Sequence, residues 1–143
     1  MEKNIGGRMK STRHINLNRI LKKSFDQTAK RYNEKNKEII QNPRDWGGGF
    51  GTTYRRNGEI VVGGYRNILD LGNLNKSQKM TINQFSAIYE WSGNGETPAP
   101  LVYFGHVTRD GGFVPGRPWA DVAANELNLS QTFANYFNEN ING

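Results

Sequence analysis

The chain has 143 residues, of which 35% are hydrophobic and 11% aromatic, and it contains no cysteine. This length suits one domain with a modest hydrophobic core, and the lack of cysteine excludes disulfides and thiol catalysis. The aromatic content argues against disorder along the whole chain, because disordered chains are poor in aromatic and β-branched residues. No apolar run approaches the roughly 20 residues of a membrane span, so we expect no membrane partner.

The formal net charge of +6 is concentrated near the N-terminus. Residues 1–40 contain 11 basic and 4 acidic residues, whereas residues 41–143 contain 8 and 9. A basic segment of this kind can meet nucleic acid or an acidic protein surface, but it is more often a solvated helix face with a basic tail. The charge pattern leaves both interpretations open.

The first elements in chain order are an arm and a helix. Residues 1–14 mix Gly with basic and small polar residues without periodicity, which predicts a flexible basic arm that only a partner orders. We expect a single domain over residues 15–143. From residue 16 onward, apolar side chains recur at helical spacing, and Asn16 or Asn18 is a suitable cap. The Asn42–Pro43 pair predicts the end of this helix.

A hairpin and two further strands are predicted next. After a glycine-rich connector at residues 46–51, the Asn57–Gly58 pair lies between two β-favouring runs, which is a strong hairpin signal. Residues 74–82 and 85–91 are predicted strands, with a turn at Asn83–Gln84. In the second strand Phe85, Ala87, Tyr89 and Trp91 alternate onto one face.

The remaining elements are loops and a C-terminal helix. Residues 92–100 and 106–116 are predicted loops, and residues 101–105 fit either one helical turn or a short strand. A helix is predicted over about residues 118–139, with Pro118 as its first residue and a bend or frayed region near Ser130. This order predicts an α+β domain in which a small mixed or antiparallel sheet, with a β-hairpin and long loops, is packed by an N-terminal and a C-terminal helix.

No pattern of catalytic or metal-ligating residues stands out. His14 and His106 have no second His or Cys at metal-ligand spacing, and the Gly47–Gly51 run lacks the Lys-Ser or Lys-Thr of a phosphate loop. The acidic residues Asp110 and Asp121 suit a turn and the first turn of a helix. We therefore expect no enzyme activity, no metal and no cofactor.

Three segments, residues 68–77, 101–105 and 114–119, taken in this order resemble motifs of the virion-morphogenesis and tail-completion proteins of tailed bacteriophages. Residues 68–77 (ILDLGNLNKS) resemble that family's Leu-x-Asp-Thr-Gly-x-Leu-x-x-Ser signature. Residues 101–105 (LVYFG) are similar to its short apolar segment ending in Gly, and residues 114–119 (VPGRPW) resemble its Pro-Ala-Arg-Pro-Phe before the last helix. Trp46, after the first helix, also matches a tryptophan that is common in this family. The residues that carry the resemblance are Trp46, Asp70, Gly72, Leu74, Ser77, Tyr103, Gly105, Arg117, Pro118 and Trp119.

The resemblance implies a structural virion protein at the head–tail junction. It implies a tail-terminator or neck subunit that forms a homo-oligomeric ring, a hexamer, which caps the tail tube and joins it to the head connector. Such a ring is assembled in the host bacterial cytoplasm, and DNA passes through its lumen. Two alternatives stay open: a head–tail connector or stopper on the portal side, and a small basic nucleic-acid-binding protein.

The long loops are the predicted contact regions of such a ring. Residues 46–64 and 92–116 hold most of the glycines, and they place Phe50, Phe104 and Phe113 in polar surroundings. Exposed aromatics on adaptable loops favour an interface with little role in the core, although the loops can instead fold back over the core. Arg117 is predicted to be either a buried anchor or an interface contact.

Overall fold

The computed structural model describes residues 16–47, 49–55, 58–64, 68, 73–92, 99–108 and 111–143, without the side chains of 50–54, 62–64 and 73. The arm predicted over residues 1–14 lies outside these ranges. The helices are α1 (Leu17–Gln41), α2 (Asn73–Lys76), α3 (Ala99–Phe104), α4 (Trp119–Leu127) and α5 (Leu129–Asn142). The strands are β1 (Gly49–Tyr54), β2 (Ile60–Gly64), β3 (Lys79–Asn83), β4 (Ser86–Glu90), β5 (Gly105–Val107) and β6 (Phe113–Pro115).

Helix α1 begins and ends where the sequence predicts. The Asn16 side chain accepts a hydrogen bond from the Arg19 backbone N–H at 3.1 Å, which satisfies a donor that has no partner inside the helix. At the other end, the Asn42 N–H still donates to the Glu38 carbonyl at 3.1 Å. Pro43 then follows and cannot continue the helix.

The strands form two antiparallel sheets, where the sequence predicted one. The first has the order β2-β1-β6-β5, and the second is the β3–β4 hairpin. The predicted first hairpin is confirmed: Tyr54 pairs with Ile60, and Gly58 has a φ of +93° in the turn. The α+β class is confirmed as well, with helices at both ends of the chain.

The strand predicted over residues 74–82 is wrong in its first half. Residues 73–76 form α2 instead, where Leu74 is buried in the core and the Ser77 hydroxyl donates to the Leu74 carbonyl at 2.6 Å. The predicted turn at Asn83–Gln84 lies one residue later, because Asn83 pairs with Ser86 and Gln84 has a φ of +56°. Phe85 is therefore a turn residue, whereas Ala87 and Tyr89 face inward as predicted.

The predicted loop over residues 106–116 is also wrong, because it contains β5 and β6. Each strand has only three residues, and β6 pairs with β1 through Phe113 and Phe50, far apart in the sequence. Residues 101–105 combine both predicted forms, a helical turn up to Phe104 and a strand from Gly105. The C-terminal helix is interrupted at Asn128, with a φ of +53°, and not at Ser130.

The core is formed by residues of α1, α2, α3 and α4, together with Ile68. The Tyr32 hydroxyl donates to the Ala120 carbonyl at 2.9 Å, and the Asn140 amide donates to the Ser24 hydroxyl at 3.0 Å, so α1 is tied to both C-terminal helices. The buried core residues are Ile39, Ile40, Ile68, Leu74, Ala99, Val102, Trp119 and Ala123. The expectation that residues 92–116 have little role in the core is therefore wrong for Ala99, Val102 and Val114, which are all buried.

Candidate interaction surfaces

Trp119 is the centre of an aromatic cluster at the start of α4. Its side chain is 2% exposed. The rings of Tyr103 and Trp91 meet it edge-to-face, with centroids at 4.8 Å and 5.4 Å. Edge-to-face pairs of this kind stabilise a core beyond the area that they bury. We call Trp91, Tyr103 and Trp119 the aromatic knot.

Two of the three segments that carry the family resemblance meet beside this knot. The Arg117 N–H donates to the Val102 carbonyl at 2.9 Å. Gly105 has a φ of +85°, and a Cβ there would lie 2.6 Å from the Gly116 nitrogen. A Cβ at Gly116 would in turn lie 2.7 Å from the Tyr103 carbonyl oxygen. Only glycine at both positions permits the two backbones to approach so closely.

The other predicted residues of the resemblance are mostly structural. Leu74 belongs to the core, and the Ser77 hydroxyl accepts from the Ser92 N–H at 3.0 Å. Trp46 packs against the core with the Arg44 guanidinium over its ring. Pro118 is the residue before α4, not its first residue. Asp70, Gly72 and the side chain of Phe50 lie outside the described part of the chain.

Arg117 is 6% exposed, and its side chain is enclosed by the fold. Its backbone also closes the turn into α4, because the Trp119 N–H donates to the Arg117 carbonyl at 2.8 Å. Of the two predicted roles, the buried position in the single chain favours the structural anchor.

An exposed apolar surface lies directly beside the knot. Phe104 and Val107 are 79% and 71% exposed, and Leu101 and Phe113 are also exposed. Leu101 and Phe104 are three residues apart on α3, and Val107 lies opposite Phe113 in the β5–β6 pair. We call these four side chains the apolar ridge. The ridge has the character of an interaction site, because most exposed apolar side chains of a soluble protein are scattered singly.

A second apolar surface is a groove that the sequence did not predict. It has a volume of about 640 Å³ and lies between the N-terminal half of α1, the β3–β4 hairpin and the start of α5. Its aromatic lining residues are Phe25, Tyr32, Phe85, Tyr89 and Phe133. The sequence predicted that Phe85, Ala87 and Tyr89 share one face of a strand, but it did not reveal that α1 and α5 face them.

A third surface is a row of cations along α1. Arg19, Lys23, Lys30 and Lys37 follow one another at spacings of four, seven and seven residues, which places them on one helix face about 27 Å long. Among the described residues none of the four makes a salt bridge, whereas Lys22 pairs with Asp26 at 2.6 Å. We call these four side chains the basic row.

The shifted titratable groups have structural causes. Burial raises the pKa of Tyr89 to about 12, and it also raises the pKa values of Tyr32 and Tyr103. The hydrogen bond from Arg44 holds the pKa of Glu126 below its usual value. In the described ranges no three His or acidic residues are grouped as metal ligands, and no helix there has the length and apolarity of a membrane span.

No family model, no curated protein and no solved structure matches this chain. The sequence resemblance to phage tail-completion proteins therefore stays a prediction. Any functional conclusion depends on the knot, the ridge, the groove and the basic row themselves.

Proposed function

We propose that this chain is a non-enzymatic structural protein of the head–tail junction of a tailed bacteriophage, a tail-completion or neck subunit that acts as a ring. The observation that carries the proposal is the apolar ridge. Phe104 is 79% exposed in a chain whose mean hydropathy is −0.77. So polar a chain gains little from exposing four apolar side chains together unless another protein surface covers them.

The position of the ridge supports the same conclusion. Phe104 lies between Tyr103 of the aromatic knot and Gly105, inside one of the segments that resemble the phage family. The rigid knot fixes the backbone from which the ridge projects. A preorganised contact surface loses less conformational entropy when it binds a partner. In the proposed ring, the ridge is the surface that meets other subunits, the tail tube or the head connector.

The decisive experiment is a deletion of this gene from a phage or prophage that encodes it. We expect heads and tails to accumulate unjoined, and a plasmid-borne copy of the chain to restore complete virions. Electron microscopy of the lysate distinguishes tails that lack a terminating ring from tails that have one but fail to meet a connector. Normal virions after the deletion contradict the proposal.

A second candidate function is nucleic-acid binding, and the basic row favours it. Four cations without salt bridges in the described chain lie on one helix face about 27 Å long, where each is available to neutralise a phosphate. This surface is compatible with a ring whose lumen carries DNA, or with a free DNA-binding protein. The difference between the two is whether the protein assembles.

DNA binding is tested by fluorescence anisotropy with a double-stranded oligonucleotide over a range of salt concentrations. The double variant Lys23→Glu/Lys30→Glu is compared with Lys76→Glu/Lys79→Glu, which makes the same charge change at exposed residues of α2 and β3, outside the basic row. If the basic row contacts phosphates, only the first variant lowers the slope of log affinity against log salt, by about 1 per lost contact. Equal effects of the two variants show that only the net charge matters.

A further inference from the structure

We propose that two copies of this chain join head-to-tail, with Phe104 of one copy entering the apolar groove of the next. This inference rests on the proposed ring and names the two surfaces that close it. The ridge lies on α3, β5 and β6, whereas the groove lies between α1, the β3–β4 hairpin and α5. The two surfaces share no residue, so one molecule can use both at the same time.

The groove is chemically suited to an aromatic side chain. Four of its hydroxyl groups already donate inside the chain: Thr28 to the Ser24 carbonyl at 2.8 Å, Tyr89 to the Ala29 carbonyl at 2.7 Å, Ser86 to the Asn83 carbonyl at 2.9 Å, and Tyr32 as described above. Among the residues that the structure describes, no Asp, Glu, Lys or Arg lines it. A metabolite with several polar groups would find few partners there, whereas an apolar side chain needs none.

The rings at the mouth of the groove are placed to receive another ring. Phe25 and Phe85 meet edge-to-face at 5.9 Å, and Phe85 is 54% exposed at the hairpin turn. Phe133 faces them from α5. A phenyl group placed against these side chains can make further edge-to-face contacts.

The pairing of two different surfaces has a consequence for symmetry. If ridges met ridges, the contact would be two-fold, assembly would end at a dimer, and every groove would stay open. A groove cannot fill a second groove, because both are concave. A contact between the ridge and the groove joins two different surfaces, so each copy can bind the next. The chain of copies closes into a ring if the rotation between neighbouring subunits permits it.

Two variants separate the two surfaces. Phe104→Asp puts a charge on the ridge at a side chain that contributes little to the fold. Ser130→Glu puts a carboxylate at the groove from an exposed position in the first turn of α5, where negative charge is favourable to the helix. Ile88→Asp is the control, since Ile88 is exposed on the outer face of β4 and belongs to neither surface.

The full chain and each variant are examined by native mass spectrometry and sedimentation at concentrations up to about 1 mM. We expect the unaltered chain and Ile88→Asp to form a closed oligomer. Phe104→Asp and Ser130→Glu alone should each be monomeric, with the dissociation constant raised at least about 30-fold. Thermal melts identify any variant that has failed to fold, and Phe104→Ser and Ser130→Gln then replace it.

The mixture of the two variants is the discriminating measurement. Ser130→Glu keeps a normal ridge and Phe104→Asp keeps a normal groove, so together they should form a one-to-one heterodimer and nothing larger. No heterodimer, or self-association of Ser130→Glu alone, overturns the proposal. So does an unaltered chain that stays monomeric over the whole concentration range.

Failure of this interface and failure of the proposed function give different results. Rings that form through ridge and groove but do not restore virions contradict the head–tail function and leave the interface intact. Virions that are restored equally well by Phe104→Asp contradict the interface and leave the function intact.

Discussion

Tyr103 and Phe104 are neighbours in the sequence, yet they belong to opposite kinds of surface. The Tyr103 ring packs on Trp119 in the aromatic knot, whereas Phe104 is 79% exposed on the ridge. Both residues are aromatic and both are near the end of α3. The difference shows that apolar composition gives no information on whether a side chain stabilises this fold or is available to a partner. Substitutions on the two sides of this boundary should therefore have opposite effects on stability and assembly.

The largest loss of stability is expected for Trp119→Ala in the knot. Removing a buried aromatic side chain typically costs about 3–5 kcal/mol, through lost burial and the cavity left behind. The substitution also removes the ring contacts of Trp119 with Trp91 and Tyr103. Chemical denaturation measures the change. A shift below about 1 kcal/mol would mean that the knot does not hold the fold together.

The next largest effect is expected for Gly105→Ala, at the boundary between knot and ridge. Its φ of +85° disfavours any Cβ, and the new methyl would lie 2.6 Å from the Gly116 nitrogen, so we expect a loss of at least about 2 kcal/mol. Gly111→Ala is the matched control, because Gly111 has a φ of +87° with nothing within 4 Å of its Cβ. Equal losses in the two variants would show that only the backbone conformation matters.

A smaller effect is expected for Tyr89→Phe, which removes the hydrogen bond to the Ala29 carbonyl and about 1 kcal/mol of stability at neutral pH. At alkaline pH the difference in stability between the two proteins should narrow. Burial raises the pKa of Tyr89 from 10.0 to about 12, so its contribution is complete below pH 10 and is lost as the pH rises toward 12.

The check is the free energy of unfolding as a function of pH for both proteins. The unaltered chain should lose stability between pH 10 and about 12, and Tyr89→Phe should lose less over the same interval. Parallel curves would contradict the burial of this phenol. Tyr32 and Tyr103 also have raised pKa values, so some alkaline loss remains in the variant.

The smallest effect on stability is expected for Phe104→Ala on the ridge. The side chain is mostly exposed and keeps only an edge-to-face contact with the Tyr103 ring, so the free energy of unfolding should change by less than about 1 kcal/mol. Denaturation beside the Trp119→Ala variant gives the contrast directly. A loss above about 1 kcal/mol would place Phe104 in the core and remove the main support for the ridge as a contact surface.

Several features of the fold follow from local sequence signals alone. The Asn16 cap and Pro43 predict both ends of α1, because a capping side chain and a proline act within a few residues of themselves. The Asn57–Gly58 pair predicts the β1–β2 hairpin for the same reason. The exposed positions of the basic row could also be read from their helical spacing.

Tertiary contacts decide the features that the sequence did not predict. Strands β5 and β6 have three residues each, too short for a periodic signal. They pair with each other, and β6 joins the larger sheet by pairing with β1 through Phe113 and Phe50. Residues 73–76 are helical where Leu74 packs into the core, although their pattern also fits a strand. Local patterns cannot report a partner that lies far away in the chain.

The same limit applies to the candidate sites. The sequence by itself determined an α+β chain with a capped basic helix, a tight hairpin and aromatic loops. Only the tertiary structure decided that Trp119 is buried while Phe104 is exposed, and that Phe25, Phe85 and Phe133 share one groove. The physical reason is that burial depends on which surfaces meet across the fold. A side chain's own hydrophobicity determines only how much free energy its burial contributes.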